Sequence, residues 1–322
     1  MNKNFLPWSL FFLFVLIFMT IFIGRYPFLV GINQGFKNDL FIKLLTNVRI
    51  PRIIFSVLMG FGLSVSGLIM QTVFKNSLAD PGLLGINQAA GFGAALGILL
   101  FSDSFFGIQL LAFIFGITAL IIAILLAKNI KKGERISLLL AGISVSALFS
   151  AGLGLIKYLA DPLDELPSIV FWLLGSISNS NWNHLFRVLP VSILCLTILF
   201  LYRWRINVYV LEQEVLFSLG IKKNTELYFI LGTSVLLTTS IISYAGIVGW
   251  VGLIIPNVVR LMIGEDAKKT IPLSMVLGGC FVLICDTFAR SAIPGEIPLG
   301  IITAFLGAIG FLCILLFRRD YL

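Results

Sequence analysis

Apolar residues run through this chain in long unbroken blocks, separated by short polar and basic groups. Ten blocks predict membrane-spanning helices, at about 5–24, 52–74, 82–101, 106–127, 136–159, 186–202, 226–244, 246–263, 271–293 and 297–317. Roughly 20 apolar residues in a helix cross a hydrocarbon core about 30 Å thick. The blocks are continuous rather than alternating, so the pattern excludes a transmembrane β-barrel. Between the fifth and sixth blocks lies the shorter run PSIVFWLLGS, which predicts an interfacial or re-entrant helix with Trp172 and Trp182 at headgroup level. The fold class is therefore all-α and polytopic. No linker is long enough to separate two domains, so residues 1–322 read as one transmembrane domain.

The second block is the most patterned. Two arginines flank a proline at Arg49–Arg52, an uncharged apolar helix follows from Ile53 to about Phe74, and the block closes on Lys75-Asn76-Ser77 and the turn Asp80-Pro81-Gly82. Ser56, Gly60, Ser64, Gly67 and Gln71 fall on one helical face. Small residues let helices approach closely in lipid, and polar ones must face protein or water. The stripe therefore marks a packing face or the lining of a pathway.

Charge adds orientation. Of 23 lysines and arginines, fifteen fall on one side of the ten-span arrangement, in groups near 128–135, 203–223 and 318–319, and eight on the other. The basic-rich side is cytoplasmic by the positive-inside rule, which puts both termini in the cytoplasm. The net charge of +8 serves this topology and does not point to nucleic acid. Residues 25–52 go against the rule with five basic side chains, and form either a solvated loop or a platform for an acidic partner outside. On the opposite side, Arg203 to Thr225 combines mixed charge with helically spaced apolar residues, a pattern suited to docking a cytoplasmic protein. The first block exceeds the length of a signal-peptide core and lacks an A-x-A site, so it reads as a transmembrane helix. Cys195, Cys280, Cys285 and Cys313 all lie in apolar runs without CxxC spacing, as core residues do.

Chemistry-bearing residues are few. Asp286 stands inside a span with Arg290 one turn later, where an ion pair lowers the cost of burial. His184 is placed at a membrane boundary as a surface residue. No HExxH motif, intramembrane carboxylate cluster or GxxxxGK[ST] phosphate loop occurs. These gaps argue against an intramembrane enzyme. They leave Asp286 as the one candidate for the ion site of a secondary carrier. If ATP drives transport, another chain binds it.

Spread along the chain are RIPR (49–52), SGLIMQ (66–71), KNSLADPGLLGIN (75–87), LLLAGIS (138–144), FWLLGS (171–176), SLGI (218–221), GWVGLIIPNVVRLMIGEDAKKTIPLS (249–274), DTFAR (286–290) and EIPLGIITAFLGAIGF (296–311). In this combination the chain resembles the permease subunits of type II ABC importers for iron–siderophore chelates, haem and cobalamin. That resemblance implies a pair of ten-helix subunits (two identical chains or two related ones) in the cell membrane, two cytoplasmic ATPase subunits and an extracytoplasmic solute-binding protein. It implies transport by alternating access of an Fe(III)–siderophore complex, or of haem or cobalamin. It implies no enzymatic activity and no cofactor in this chain, ATP and Mg²⁺ being used by the ATPase. By position, Arg49, Arg52 and Arg290 match arginines that receive acidic residues of the binding protein. Asn76 and Leu78 match a cytoplasmic gate. Leu219 and Gly220 match the coupling segment that sits on the ATPase, here about 203–225. Two positions depart from the family pattern: Ser77 stands where proline is common after the asparagine, and Asn257 where histidine is common after the proline.

Overall fold

A computed structural model describes residues 5–23, 39–101, 104–130, 133–209, 218, 223–293 and 295–317. The described chain is helical: α1 (Phe5–Phe22), α2 (Asp39–Leu44), α3 (Ile50–Phe74), α4 (Ile86–Leu100), α5 (Phe105–Asn129), α6 (Glu134–Leu159), α7 (Glu165–Leu173), α8 (Trp182–Leu201), α9 (Arg203–Tyr209), α10 (Lys223–Ala245), α11 (Val251–Ile263), α12 (Ala267–Ser291) and α13 (Leu299–Phe317). Eight of these are long and apolar enough to cross a membrane, and α4 and α11 are shorter apolar helices. Together they account for the ten predicted blocks.

The bundle is built around α3. A π-helical turn at Leu45–Arg49 joins α2 to α3 without a break, so residues 42–74 form one 33-residue apolar helical path. In its most apolar window 83% of the residues are buried, against 11% for α1. Helix α3 packs on α12, α11, α10 and α8, while α4 packs on α5 and α6, and α1 lies along α12. Lys75 ends α3 with a left-handed φ of 49°. From Arg52 to Phe74 the helix rises about 33 Å at 1.5 Å per residue. The two ends of α3 therefore sit near opposite boundaries of a bilayer core.

The small-and-polar face of α3 is spent on packing. A Cβ on Gly60 would lie 2.2 Å from the Gly278 carbonyl oxygen of α12, and one on Gly67 would lie 1.9 Å from that of Gly252 on α11. Ser64 donates to the Ser274 carbonyl at 2.8 Å. Of the two alternatives for this stripe, helix contact within the chain is the one observed. The GxxxG of α4 behaves likewise, with Gly93 and Gly97 set against Leu111 and Ile108 of α5.

Two predicted spans are shorter than their apolar runs. The third begins as a single 3₁₀ turn, Pro81–Leu84, and Gly85 at φ 78° reverses the chain before α4 starts. The eighth loses residues 246–250 to an irregular segment. Gly246 there takes a φ of 70°, and a Cβ on it would meet the Trp172 carbonyl oxygen at 2.1 Å. Ser176 N–H donates to the Ala245 carbonyl at 2.7 Å, and Gly300 N–H to that of Leu174 at 3.2 Å. The ends of α7 and α10 and the start of α13 thus meet in one knot. The predicted short helix is α7.

Candidate functional site

At the Arg49 end of α3, five charged side chains gather. Arg52 donates from Nε and Nη2 to Asp286 Oδ1 of α12, at 2.9 and 2.8 Å. Its Nη1 donates to both carboxylate oxygens of Glu296, each at 3.0 Å. Glu296 sits in the segment between α12 and α13. Arg290 reaches Asp286 Oδ2 only at 3.9 Å and instead donates to the Thr20 carbonyl of α1 at 2.7 Å. Arg49 donates to the neighbouring Ile21 carbonyl at 2.9 Å. The predicted Asp286–Arg290 pair is therefore the loose contact, and the tight partner of Asp286 is Arg52. Arg52 faces the carboxylate across the α3–α12 contact, whereas the Arg290 guanidinium is drawn to the Thr20 carbonyl of α1. The arginines are 6–9% exposed and Asp286 is fully enclosed. Among the described residues, three guanidiniums and two carboxylates meet here.

Beside this cluster lies a cavity of about 700 Å³, walled by the 176–180 segment and by residues of α3, α4, α5, α7, α8 and α10. Phe105, Trp172 and Tyr244 give it aromatic faces, and Asp164, Glu165 and Glu296 give it carboxylates. His184, expected as a surface residue, is half-buried in its wall and stacks on Phe105 with ring centroids 4.7 Å apart. Trp182 donates from its indole nitrogen to the Thr46 carbonyl at 2.9 Å, which ties α8 to the π turn.

The opposite end of α3 forms a second constellation. Asn76 Oδ1 accepts from the Leu78 N–H at 2.9 Å, so the side chain closes the turn on itself. Leu78 is 53% exposed while Ala79 is buried beneath it. Asn257 of α11 donates to the Ser77 carbonyl at 2.9 Å and to the Leu253 carbonyl at 2.7 Å. Gln71 donates to the Gly252 and Leu253 carbonyls at 3.2 and 3.1 Å, and accepts from Arg260 Nη1. Asn257, Gln71 and Arg260 thus hold the Asn76–Leu78 turn against α11. The repeated i, i+4 spacing of polar residues inside an apolar run flagged Gln71, but nothing local pointed to its partners.

Asn257→Leu is expected to leave the Ser77 carbonyl unpaired at a cost of about 1–3 kcal/mol. The effect is read as a lowered unfolding midpoint in detergent, and Asn257→His should retain part of the stability because an imidazole N–H can also donate.

Also at this end, Asn207 of α9 and Asp266 form a reciprocal clamp. Asn207 donates to Asp266 Oδ1 at 2.7 Å and accepts from Ala267 N–H at 2.7 Å, while Asp266 caps α12 through Lys268 N–H. The Asn207 bond, with help from that backbone N–H and the nearby lysines, holds the Asp266 carboxyl below its ordinary pKa. This fixes α9, the first part of the expected coupling segment. Leu219 and Gly220 lie outside the described residues.

The model of the FecCD transport family matches residues 10–317, nearly the whole chain. The chain belongs to that family. Among its relatives, the iron(3+)-hydroxamate import permease FhuG of Bacillus subtilis is 38% identical over 297 residues, 88% of this chain and 86% of that one. The molybdate import permease MolB of Haemophilus influenzae is 35% identical over 266 residues, 83% of this chain and 79% of that one. A candidate metal-chelate ABC transporter solved in an inward-facing conformation superposes with a TM-score of 0.90 at 32% identity, covering 98% of this chain and 99% of that one. This FecCD chain is accordingly a membrane permease subunit of an ABC importer, and not an enzyme. The ATPase is a separate subunit.

Proposed function

We propose that this FecCD permease carries Fe(III)–siderophore chelates into the cell, with the Arg49 end of α3 outside and both termini in the cytoplasm. A solute-binding protein delivers the chelate to the outer face, where the guanidiniums of Arg49, Arg52 and Arg290 attract acidic residues of that partner. ATP binding and hydrolysis in two partner ATPases then move the coupling segment that includes Leu219 and Gly220. The path opens past the turn that carries Asn76 and Leu78, between this subunit and a second permease copy.

The cavity beside the arginine cluster carries the substrate assignment. About 700 Å³ falls within the roughly 300–1,000 Å³ of sites that enclose drug-sized organic molecules. Its aromatic faces suit a bulky chelate. Its carboxylates disfavour a small dianion, which weighs against molybdate even though a molybdate permease is among the relatives. A metal arriving fully chelated needs no ligands from the walls, and among the described residues no group of three or more His, Cys, Asp or Glu could hold an ion. The hydroxamate permease relative supports the same class.

Vesicles containing this chain with its ATPase and binding protein should accumulate radiolabelled iron from a ferric siderophore only when ATP is present. Excess molybdate should not compete. Accumulation by the permease alone under a proton gradient would overturn the ATP-driven reading, and competition by molybdate would move the substrate to the oxyanion class.

A further inference from the structure

The arginine cluster raises a steric and electrostatic question that docking must answer. Arg52 has no idle edge wide enough for a second bidentate partner: Nε and one Nη2 N–H are committed to Asp286, and Nη1 is held between both oxygens of Glu296. A carboxylate from a docking protein can pair with Arg52 in the two-bond fork only by replacing one of these partners. Asp286 is fully enclosed between α3 and α12. The Glu296 side chain is 29% exposed and belongs to the short segment that leads into α13. Ala292, Ile293 and Gly295 of that segment are exposed as well.

We infer that Glu296 is an internal competitor for the docking carboxylate. It occupies Arg52 in the free permease and is displaced when the acidic partner binds. This rests on the proposed docking at the arginines and adds what that docking must break. The consequence reaches the cavity, because Glu296 and Pro298 form part of its wall. Release of Glu296 removes the side-chain link from this segment to Arg52 of α3, while the Ala292 and Ile297 N–H groups stay bonded to the Phe288 and Ala289 carbonyls of α12 at 3.0 and 3.2 Å. Docking and the shape of the outer cavity are thereby linked through one side chain. Arg49 and Arg290 are anchored to adjacent carbonyls of α1. Their guanidiniums add positive charge beside Arg52.

The sign of the effect separates this role from a structural one. Removing a residue that only holds the loop should weaken docking or leave it unchanged, whereas removing a competitor should strengthen it. Binding of the chelate-loaded solute-binding protein to the permease–ATPase complex in nanodiscs is measured at low and high salt, for wild type, Glu296→Gln and Arg49→Gln. Glu296→Gln is expected to tighten binding about two- to fivefold at low salt, the scale of a partly exposed ion pair, with the gain shrinking at high salt. Glu296→Asp, one methylene shorter, should shift binding in the same direction by less, and it serves if the glutamine variant does not assemble. Unchanged or weaker binding by both Glu296 variants, with Arg49→Gln weakening docking, would overturn the competitor role and leave docking at the arginines standing. If Arg49→Gln and neutralisation of the binding protein's own surface carboxylates both leave affinity unaltered, docking at the arginines fails and the competitor role falls with it.

Discussion

An Arg52→Met permease is expected to lose roughly 3–5 kcal/mol of stability, the usual penalty when one partner of a buried ion pair is removed and the other stays charged. Asp286 is fully enclosed and takes its two shortest charged contacts from Arg52. Arg290 stands 3.9 Å away with Nη2 held by the Thr20 carbonyl, so its Nε offsets the loss only in part. The loss should appear as a sharply lowered unfolding midpoint and a poor yield of monodisperse protein in detergent. Adding Asp286→Asn should recover much of it, because the stranded charge disappears with its partner. A double variant as unstable as Arg52→Met would show that the arginine matters for packing rather than for Asp286. The same geometry governs how docking is tested. Charge reversal at Arg52 disrupts the fold before it reports on any partner, so Arg49→Gln is the cleaner probe of the proposed docking surface.

Gly67→Ala is the second large effect. The added carbon would lie 1.9 Å from the Gly252 oxygen and 2.3 Å from its Cα, and both are backbone atoms that cannot rotate aside. Helices α3 and α11 would have to separate. Overpacking in a tight core costs about 1–3 kcal/mol, and here the separation also stretches the Gln71 bonds to Gly252 and Leu253 that hold α11 beside the Asn76–Leu78 turn. Gly154→Ala on α6 is the control, since no atom lies within 4 Å of the added carbon. Alanine is favoured over glycine in a helix by about 0.5–1 kcal/mol, so this variant should be neutral or slightly stabilised. Thermal unfolding of the two proteins side by side checks the contrast, and equal midpoints would refute the close α3–α11 contact.

The class, the ten apolar blocks, the short α7 and the family were legible in the amino-acid order alone, because each depends on local hydropathy or on motifs read in one stretch. That order also determined that α3 has a small face, through the spacing of Ser56, Gly60, Ser64, Gly67 and Gln71. Which neighbour that face meets was not legible, because close approach depends on Gly252, Ser274 and Gly278, far along the chain, being brought opposite by the bundle. Only the tertiary structure decided that Arg52 pairs with Asp286 and Glu296, residues 234 and 244 positions away. An i, i+4 rule could propose only Arg290. The ends of α4 and α11 were likewise settled by packing, since a continuous apolar run does not reveal where Gly85 and Gly246 turn the backbone left-handed. Hydropathy reports what each residue avoids, namely water or lipid. It does not report which of several distant polar groups will satisfy a charge once the helices enclose it, and that choice makes the Arg52 cluster and the cavity beside it.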